Sequence, residues 1–500
     1  MENQPLLKDS RTRMPLVRRF TYGVGHILND LCASMWFTYL VVYFHRVLEF
    51  DNAFAGYVMM TGQVFDAIST PLVGYESDVS KGCFKYGRRK SWHLMGSVCV
   101  AIAFIFIFQP CIGCDDNTDT WAKFIYYVPF LFLAQFGWAS VQISHLALIP
   151  ELTSCEHERV ELNTIRYTFT VVSNVVVFVI MWLLLTFVHS PHTMKPESLD
   201  KSLGPEDIIQ FRYLIFIVVA IGSVFCFIFH IGTKEKRSRS LSDSFETSQS
   251  AVHSRMVWKD WLKCVQFYQV AGIYMCTRLM VNVSQVYVPL YVTDTLGLSK
   301  DYVALIPLVI YLSGFVVSSI IVKPLNRFLG RKMTFFFGAV LVLGACDWIL
   351  AGNLGKQVFG VAILLGAGGS MALVTSLSMT ADLINQNTES GAFVYGAMSF
   401  TDKLSNGIAV LVIQLIHPCR SGCCAACATF YQVIMAYIPG GAALLSLIVL
   451  ATLIGTKIGE RKPKPVLADH HGDNNTIQEP TEDLEQVKND NQEELIHCTA

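Results

Sequence analysis

The stretch Gly62–Lys90 reads GQVFDAISTPLVGYESDVSKGCFKYGRRK. It begins inside an apolar run and ends in a basic cluster. Asp66 sits within the apolar part, and an acid at membrane depth is costly enough to mark a transport path or a binding site. Pro71, Gly74 and Asp78 follow, then Gly87, Arg88, Arg89 and Lys90, a cluster that marks the cytosolic side. The blander reading is one tolerated Asp capping a kink before Pro71. Further polar groups inside apolar runs weigh against it: His26 and Asp30, Gln142 and His145, Arg166, then Asp402 and Lys403. Arg278, Asn282 and Gln285 follow one another at spacings of four and three, so they share one helical face. Buried charges of opposite sign should face the bundle interior and one another. Arg166 can instead snorkel to the cytosolic surface. His26 and His145 read as hydrogen-bonded packing residues, and Asp402 as facing solvent at a helix bend. Asp30, Asp66, Arg278 and Lys403 resist such readings.

The elements that position these residues follow from composition. The chain has 500 residues, 52% hydrophobic and 15% charged, where soluble domains carry about a quarter charged. A span needs roughly 20 apolar residues. Twelve windows qualify: 20–47, 54–76, 92–110, 122–150, 162–188, 211–232, 264–292, 302–322, 333–351, 357–383, 391–416 and 430–456. Backbone in lipid must satisfy itself, so each is expected to be helical and the fold class is an all-α membrane protein. The loops 77–91, 233–263 and 323–332 are rich in Lys and Arg, and the alternate loops are poor. The positive-inside rule then places both termini in the cytosol. Residues 1–19 form a polar tail without an apolar core, so the first span is expected to target the chain. Spans in 20–232 and 264–457 form two groups of six, separated by a Ser-rich cytosolic linker, 233–263. The polar tail 458–500 is expected to be disordered. Pro71-Leu72 leading to Gly87-Arg88-Arg89-Lys90 has a counterpart in Pro324-Leu325 leading to Gly330-Arg331-Lys332. This trace of an internal repeat suggests two six-helix bundles around a midplane site.

The runs VFDAISTPLVGYESD…YGRRK and HLALIPELTSCEHERVELNTIRYTF resemble the signatures of the glycoside–pentoside–hexuronide cation symporters, a branch of the major facilitator superfamily. GHILNDLCASMWFTYL, FGWASVQISHLALIPEL, TSLSMTADLI and SGAFVYGAMSF are closer still to one animal member. The resemblance implies the major facilitator fold, with twelve transmembrane helices in two six-helix bundles. It also implies a lysosomal and melanosomal transporter that brings cysteine into the organelle and supports pigment synthesis. Carried over by position, Asp30 matches the family's substrate-contacting acid and Asp66 the first acid of its cation site. Arg166 matches the basic residue early in the fifth helix, and Lys403 the lysine of the eleventh. Two departures matter. The second acid of the cation site is replaced by Thr70, which makes a poor sodium cage, and the fourth-helix acid by Gln142, which argues against a sugar. Arg278 lies outside the family pattern and reads as a specialisation.

A free amino acid needs opposite poles facing one cavity. Asp30 can hold the ammonium and Arg278 the carboxylate through its fork, with Asn282 and Gln285 beside it. Arg166 is the alternative carboxylate partner, and an Asp30–Arg278 pair that only locks the empty bundle is the competing reading. Asp66, Thr70 and Lys403 form the expected coupling site, with proton linkage or uncoupled facilitation favoured over sodium symport. A sugar symporter and a non-transporting receptor or scaffold are the other functions considered. No HExxH, GxSxG or Walker loop is present, so an enzyme is not expected, and neither a cofactor nor a bound metal is called for. The net charge of −1 gives no attraction to nucleic acid. Cys111, Cys114, Cys419, Cys423, Cys424 and Cys427 fall in two non-cytosolic loops, where disulfides are favoured over a zinc site.

Glu2, Leu6 and Leu7 in ENQPLL resemble an acidic dileucine signal that clathrin adaptors read as an extended peptide. Replacing Leu6 and Leu7 with Ala is expected to move the protein from the organelle toward the cell surface, scored by surface labelling. Unchanged organelle residence would show that another signal governs its address.

Overall fold

The computed structural model describes residues 14–80, 86–115, 117–153, 155–188, 203–235, 258–352, 354–385, 387, 390–419 and 425–460. Glu2, Leu6, Leu7, Cys423 and Cys424 lie outside them, as does the side chain of Cys427. Twelve long helices run through the described residues. The first six are α1 (Leu16–Val47), α2 (Asn52–Val79), α3 (Arg88–Ile107), α4 (Thr120–Leu152), α5 (Glu156–Phe187) and α6 (Ile208–Gly232). The second six are α7 (Val265–Leu290), α8 (Tyr302–Leu329), α9 (Arg331–Leu350), α10 (Val358–Ile384), α11 (Gly391–Leu415) and α12 (Ala425–Ala451). Large apolar side chains such as Ile102, Phe132, Phe216, Ile363 and Leu444 are exposed. A surface of that kind suits lipid.

Nine of the twelve are long and apolar enough, by length and composition, to cross a membrane. The other three, α2, α7 and α11, are 28, 26 and 25 residues long. They carry Asp66, Arg278, Asp402 and Lys403. The three helices with the weakest apolar signal therefore each bring charge to the centre of the bundle.

The two halves repeat one another in detail. Gly87 and Gly330 precede α3 and α9 with φ of 110° and 80°, a region where a side chain is strained. Arg89 then pairs with Glu151 at the end of α4, Nε to Oε1 3.4 Å. Arg331 pairs with Asp382 at the end of α10. Lys90 Nζ donates to the His230 carbonyl at the end of α6, 2.9 Å, and Lys332 to the Leu453 carbonyl just beyond α12. Close backbone contact is repeated too. A Cβ on Gly96 of α3 would stand 2.7 Å from the Gly137 carbonyl oxygen of α4, and one on Gly368 of α10 would stand 2.6 Å from that of Gly338 of α9. Small residues let helices pack this closely where lipid offers no hydrophobic drive between them.

At the end remote from the basic loops, the halves are clamped together. α1 finishes in a wide π turn, Tyr43–Val47, and α7 runs on into another, Tyr291–Thr295. Arg46 and Asp294 are the fourth residues of these turns and form an ion pair. Lys300 Nζ reaches Asp207 Oδ1 at 2.9 Å, and Asn52 Nδ2 reaches His417 Nδ1 at 2.8 Å. At the opposite end Arg19 pairs with Glu158 and Glu161, and Arg331 with Asp382, each within one half. In one of the cysteine-bearing loops a disulfide joins Cys111 to Cys114. Cys419 in the other is also disulfide-bonded.

Gly137→Ala should destabilise the protein by about 1–3 kcal/mol, because its new Cβ meets backbone that must shift. Gly344→Ala on α9, where nothing lies within 4 Å, should be neutral or stabilising by up to about 1 kcal/mol. Thermal unfolding in detergent measures both, and equal effects would contradict this account of the α3–α4 contact.

Candidate substrate and coupling site

A cavity of about 290 Å³ lies between the halves, walled by α1, α5, α7, α8 and α10 with Val342 of α9. Its polar lining includes Arg278, Asn282 and Gln285 from α7, Thr170 and Asn174 from α5, and Tyr311 from α8. Ligand pockets run from about 300 Å³ upward, so this one suits a small solute. The spacing of Arg278, Asn282 and Gln285 puts them on one face, and that face is the cavity wall.

Arg278 is anchored from behind. Its Nε donates to Asp402 Oδ2 of α11 at 2.8 Å. The Asp402 side chain is 6% exposed, whereas that of Arg278 is 26% exposed. Asp402 Oδ1 accepts from Asn406 at 2.5 Å and from Asn282 at 3.5 Å. Asp402 is thus a buried acceptor satisfied on both oxygens, which corrects the expectation that it faces solvent. Its neighbour Asn406, one turn on, was not anticipated. The i, i+4 repeat of Asp402 and Asn406 within an apolar run is the signal that could have shown both on one inward face.

Asp30 does not pair with Arg278. Its Oδ1 lies 2.9 Å from His26 Nδ1, and its Oδ2 accepts from Thr170 Oγ1 at 3.0 Å. It stands one layer behind the wall, with Thr170 between it and the cavity. Arg166 Nη2 donates to His26 Nε2 at 3.1 Å, so it braces the same cluster rather than snorkelling outward. Gln285 Nε2 donates across the halves to Thr38 Oγ1 of α1, 3.0 Å.

Gln142 is not a cavity residue. It is exposed and accepts from Trp138 Nε1 at 3.1 Å. The buried stripe of α4 runs through Val141, Ser144, His145 and Leu148, and Gln142 is turned about 100° away from Val141. Gln135, also on α4, is the buried glutamine.

A second cluster joins α2 to α11. Lys403 Nζ lies 2.6 Å from Asp66 Oδ1 and donates to Thr70 Oγ1 at 2.8 Å. Thr70 Oγ1 in turn donates to Asp66 Oδ1 at 3.1 Å. Asp66, Thr70 and Lys403 are therefore brought together, with the ammonium where a bound cation would otherwise be needed. Lys403 and Asp402 are adjacent, so the two ion pairs leave one turn of α11 in different directions.

A family model described as MFS/sugar transport protein matches residues 21–460. The chain is 48% identical over 460 residues to major facilitator superfamily domain-containing protein 12 of Mus musculus, covering 90% of this chain and 96% of that protein. The Homo sapiens protein of the same name is 49% identical over 450 residues, covering 88% and 94%. Among solved structures, a D-xylose-proton symporter shares the fold with a TM-score of 0.65 at 14% identity, covering 89% of this chain and 99% of that one. The chain belongs to the MFS/sugar transport protein family of the major facilitator superfamily: it is a multi-pass membrane transporter and not an enzyme.

Proposed function

We propose that the chain moves a small amino acid, cysteine, into the lumen of lysosomes and melanosomes by alternating access. One observation carries the reading: a guanidinium, held at its back by Asp402, faces a small cavity between the two halves. Asp402 takes Nε, which leaves the remaining N–H groups of Arg278 for a substrate carboxylate. The ammonium is assigned to Asp30, reached when the Thr170 hydroxyl turns aside, with the amide oxygens of Asn282 and Gln285 as further acceptors. The clamp of Arg46 on Asp294 and Lys300 on Asp207 closes one end. Alternating access then requires it to break while contacts form at the other. Cysteine, the organelle address, pigment synthesis, the cytosolic termini and the adaptor signal rest on the sequence motifs.

The Asp66–Thr70–Lys403 cluster supports proton linkage or uncoupled movement over sodium symport. A fixed ammonium already neutralises Asp66, and a single carboxylate with a hydroxyl offers sodium little once that ammonium is present. Replacing external sodium with choline, at fixed pH and potential, should leave cysteine uptake into proteoliposomes unchanged. A steep sodium dependence would overturn this.

Arg278→Lys keeps the charge and loses the planar fork. The variant should reach the organelle in normal amount and take up cysteine at least about tenfold more slowly, the cost of a lost charged hydrogen bond. Labelled cysteine uptake should be blocked by unlabelled cysteine and not by hexoses or glucuronides. Wild-type uptake by the variant at equal abundance would remove Arg278 as the clamp, and competition by sugars alone would replace the cargo.

A further inference from the structure

Away from the cavity, α3 and α6 bring two imidazoles and a thiol together. We propose that His93 Nδ1, His230 Nε2 and Cys226 Sγ form a three-coordinate site for a d10 cation, Cu+ or Zn2+. The three atoms lie within 4.8 Å of one another. His93 Nδ1 and His230 Nε2 are 3.1 Å apart. Cys226 and His230 are four residues apart on α6 and project from one face. His93 approaches from α3. His93 is fully buried and Cys226 is 7% exposed, with a free thiol. Metal bonds of about 2.0 Å to nitrogen and 2.3 Å to sulfur would place the ligand atoms roughly 3.5 Å apart. Side-chain adjustments of about an ångström suffice to reach that.

The hydrogen bonds around the cluster orient it for a cation. His93 Nε2 meets the Gly25 carbonyl at 3.0 Å. A carbonyl only accepts, so the proton sits on Nε2 and the Nδ1 lone pair points at His230. An outer carbonyl that fixes the tautomer of a ligating imidazole is the usual supporting arrangement in metal sites. His230 Nδ1 meets the Tyr86 hydroxyl at 2.6 Å. When a cation takes His230 Nε2, the ring proton moves to Nδ1 and donates to Tyr86 Oη, whose own hydrogen turns outward. Cys226 releases its thiol proton to solvent and binds as thiolate. No other bond is made or broken, and no electron moves.

Donor set and charge select the cation. A thiolate with two imidazoles suits soft or borderline d10 ions. Lys90 already places a positive charge beside the cluster, its Nζ on the His230 carbonyl. Cu+ with one thiolate is neutral overall, so it adds no further buried charge, whereas Zn2+ adds one. The site would staple α3 to α6 beneath the tight turn Val24–His26 of α1. It shares no residue with the cavity wall, so it acts on the stability of the first half rather than on the cargo.

The test uses the full chain, purified in detergent and stripped of metal. It is titrated separately with Cu+ against a bicinchoninate competitor and with Zn2+ against a fluorescent chelator. One equivalent of either ion per chain is expected, with an X-ray absorption signature of two nitrogens and one sulfur and a raised unfolding temperature. Cys226→Ser and His230→Gln should each weaken binding at least about tenfold, while Cys99→Ser leaves it unchanged. The stronger ion identifies the occupant. Absence of binding, affinity equal in Cys226→Ser and wild type, or a sulfur-only signature would each overturn the site.

Discussion

Asp402 and Lys403 are neighbours on α11, and the centre of this transporter depends on that adjacency. Successive residues on a helix point about 100° apart. One side chain therefore reaches back to α7 and Arg278, and the other across to α2 and Asp66. Each pair places opposite charges where water is scarce, and removing one partner of such a pair costs about 3–5 kcal/mol. Only the second of these pairs joins the two halves; Arg278 and Asp402 both belong to the second half. α2 lends its acid to a lysine of the second half, and α7 lends its arginine to an acid of the same helix that bears that lysine. The low hydropathy of α2, α7 and α11 is the local cost of this arrangement, offset by one pair within the second bundle and one across to the first.

The repeat explains how the interface is framed. Glycine, arginine and lysine at the start of α3 and α9 repeat the same bonds, to the end of α4 or α10 and to the end of α6 or just beyond α12. Each half is thus tied off at the same corner, as a rigid unit. What differs between the halves is charge. At matching turns α1 presents Arg46 and α7 presents Asp294, so positions related by the repeat attract across the molecule. An inherited symmetry has been broken in sign, and the broken symmetry is what holds that end shut.

Much of this was legible in the chain. Apolar windows of span length marked the twelve helices because lipid imposes one length and one backbone solution. The spacing of Arg278, Asn282 and Gln285 exposed their common face because periodicity is local. Pairing was less legible. Which acid answers Arg278 depends on how distant helices are rotated, and the sequence reading offered Asp30 for it while setting Asp402 toward solvent. Gln142 shows the same limit: a hydropathy window gives depth but not the face a residue occupies. Only His26 and His145 drew a reading from the sequence, since His93 and His230 come together only when α3 and α6 are side by side.

The shared turn of α11 also gives a physical route between substrate and coupling group on the proposed reading. A ligand can shift a conformational equilibrium only through interactions that differ between the states. A substrate carboxylate on Arg278 competes with Asp402 for the same guanidinium and weakens that pair in proportion. Asp402 then leans further on Asn406, one turn along its own helix, and any rotation of α11 that follows moves Lys403 relative to Asp66. Thr70, which touches both members of that pair, can keep Asp66 hydrogen-bonded when the lysine withdraws. On that reading the Thr70 hydroxyl has a role of its own. It tolerates separation of the pair without leaving Asp66 bare, where a second carboxylate would add repulsion at that moment.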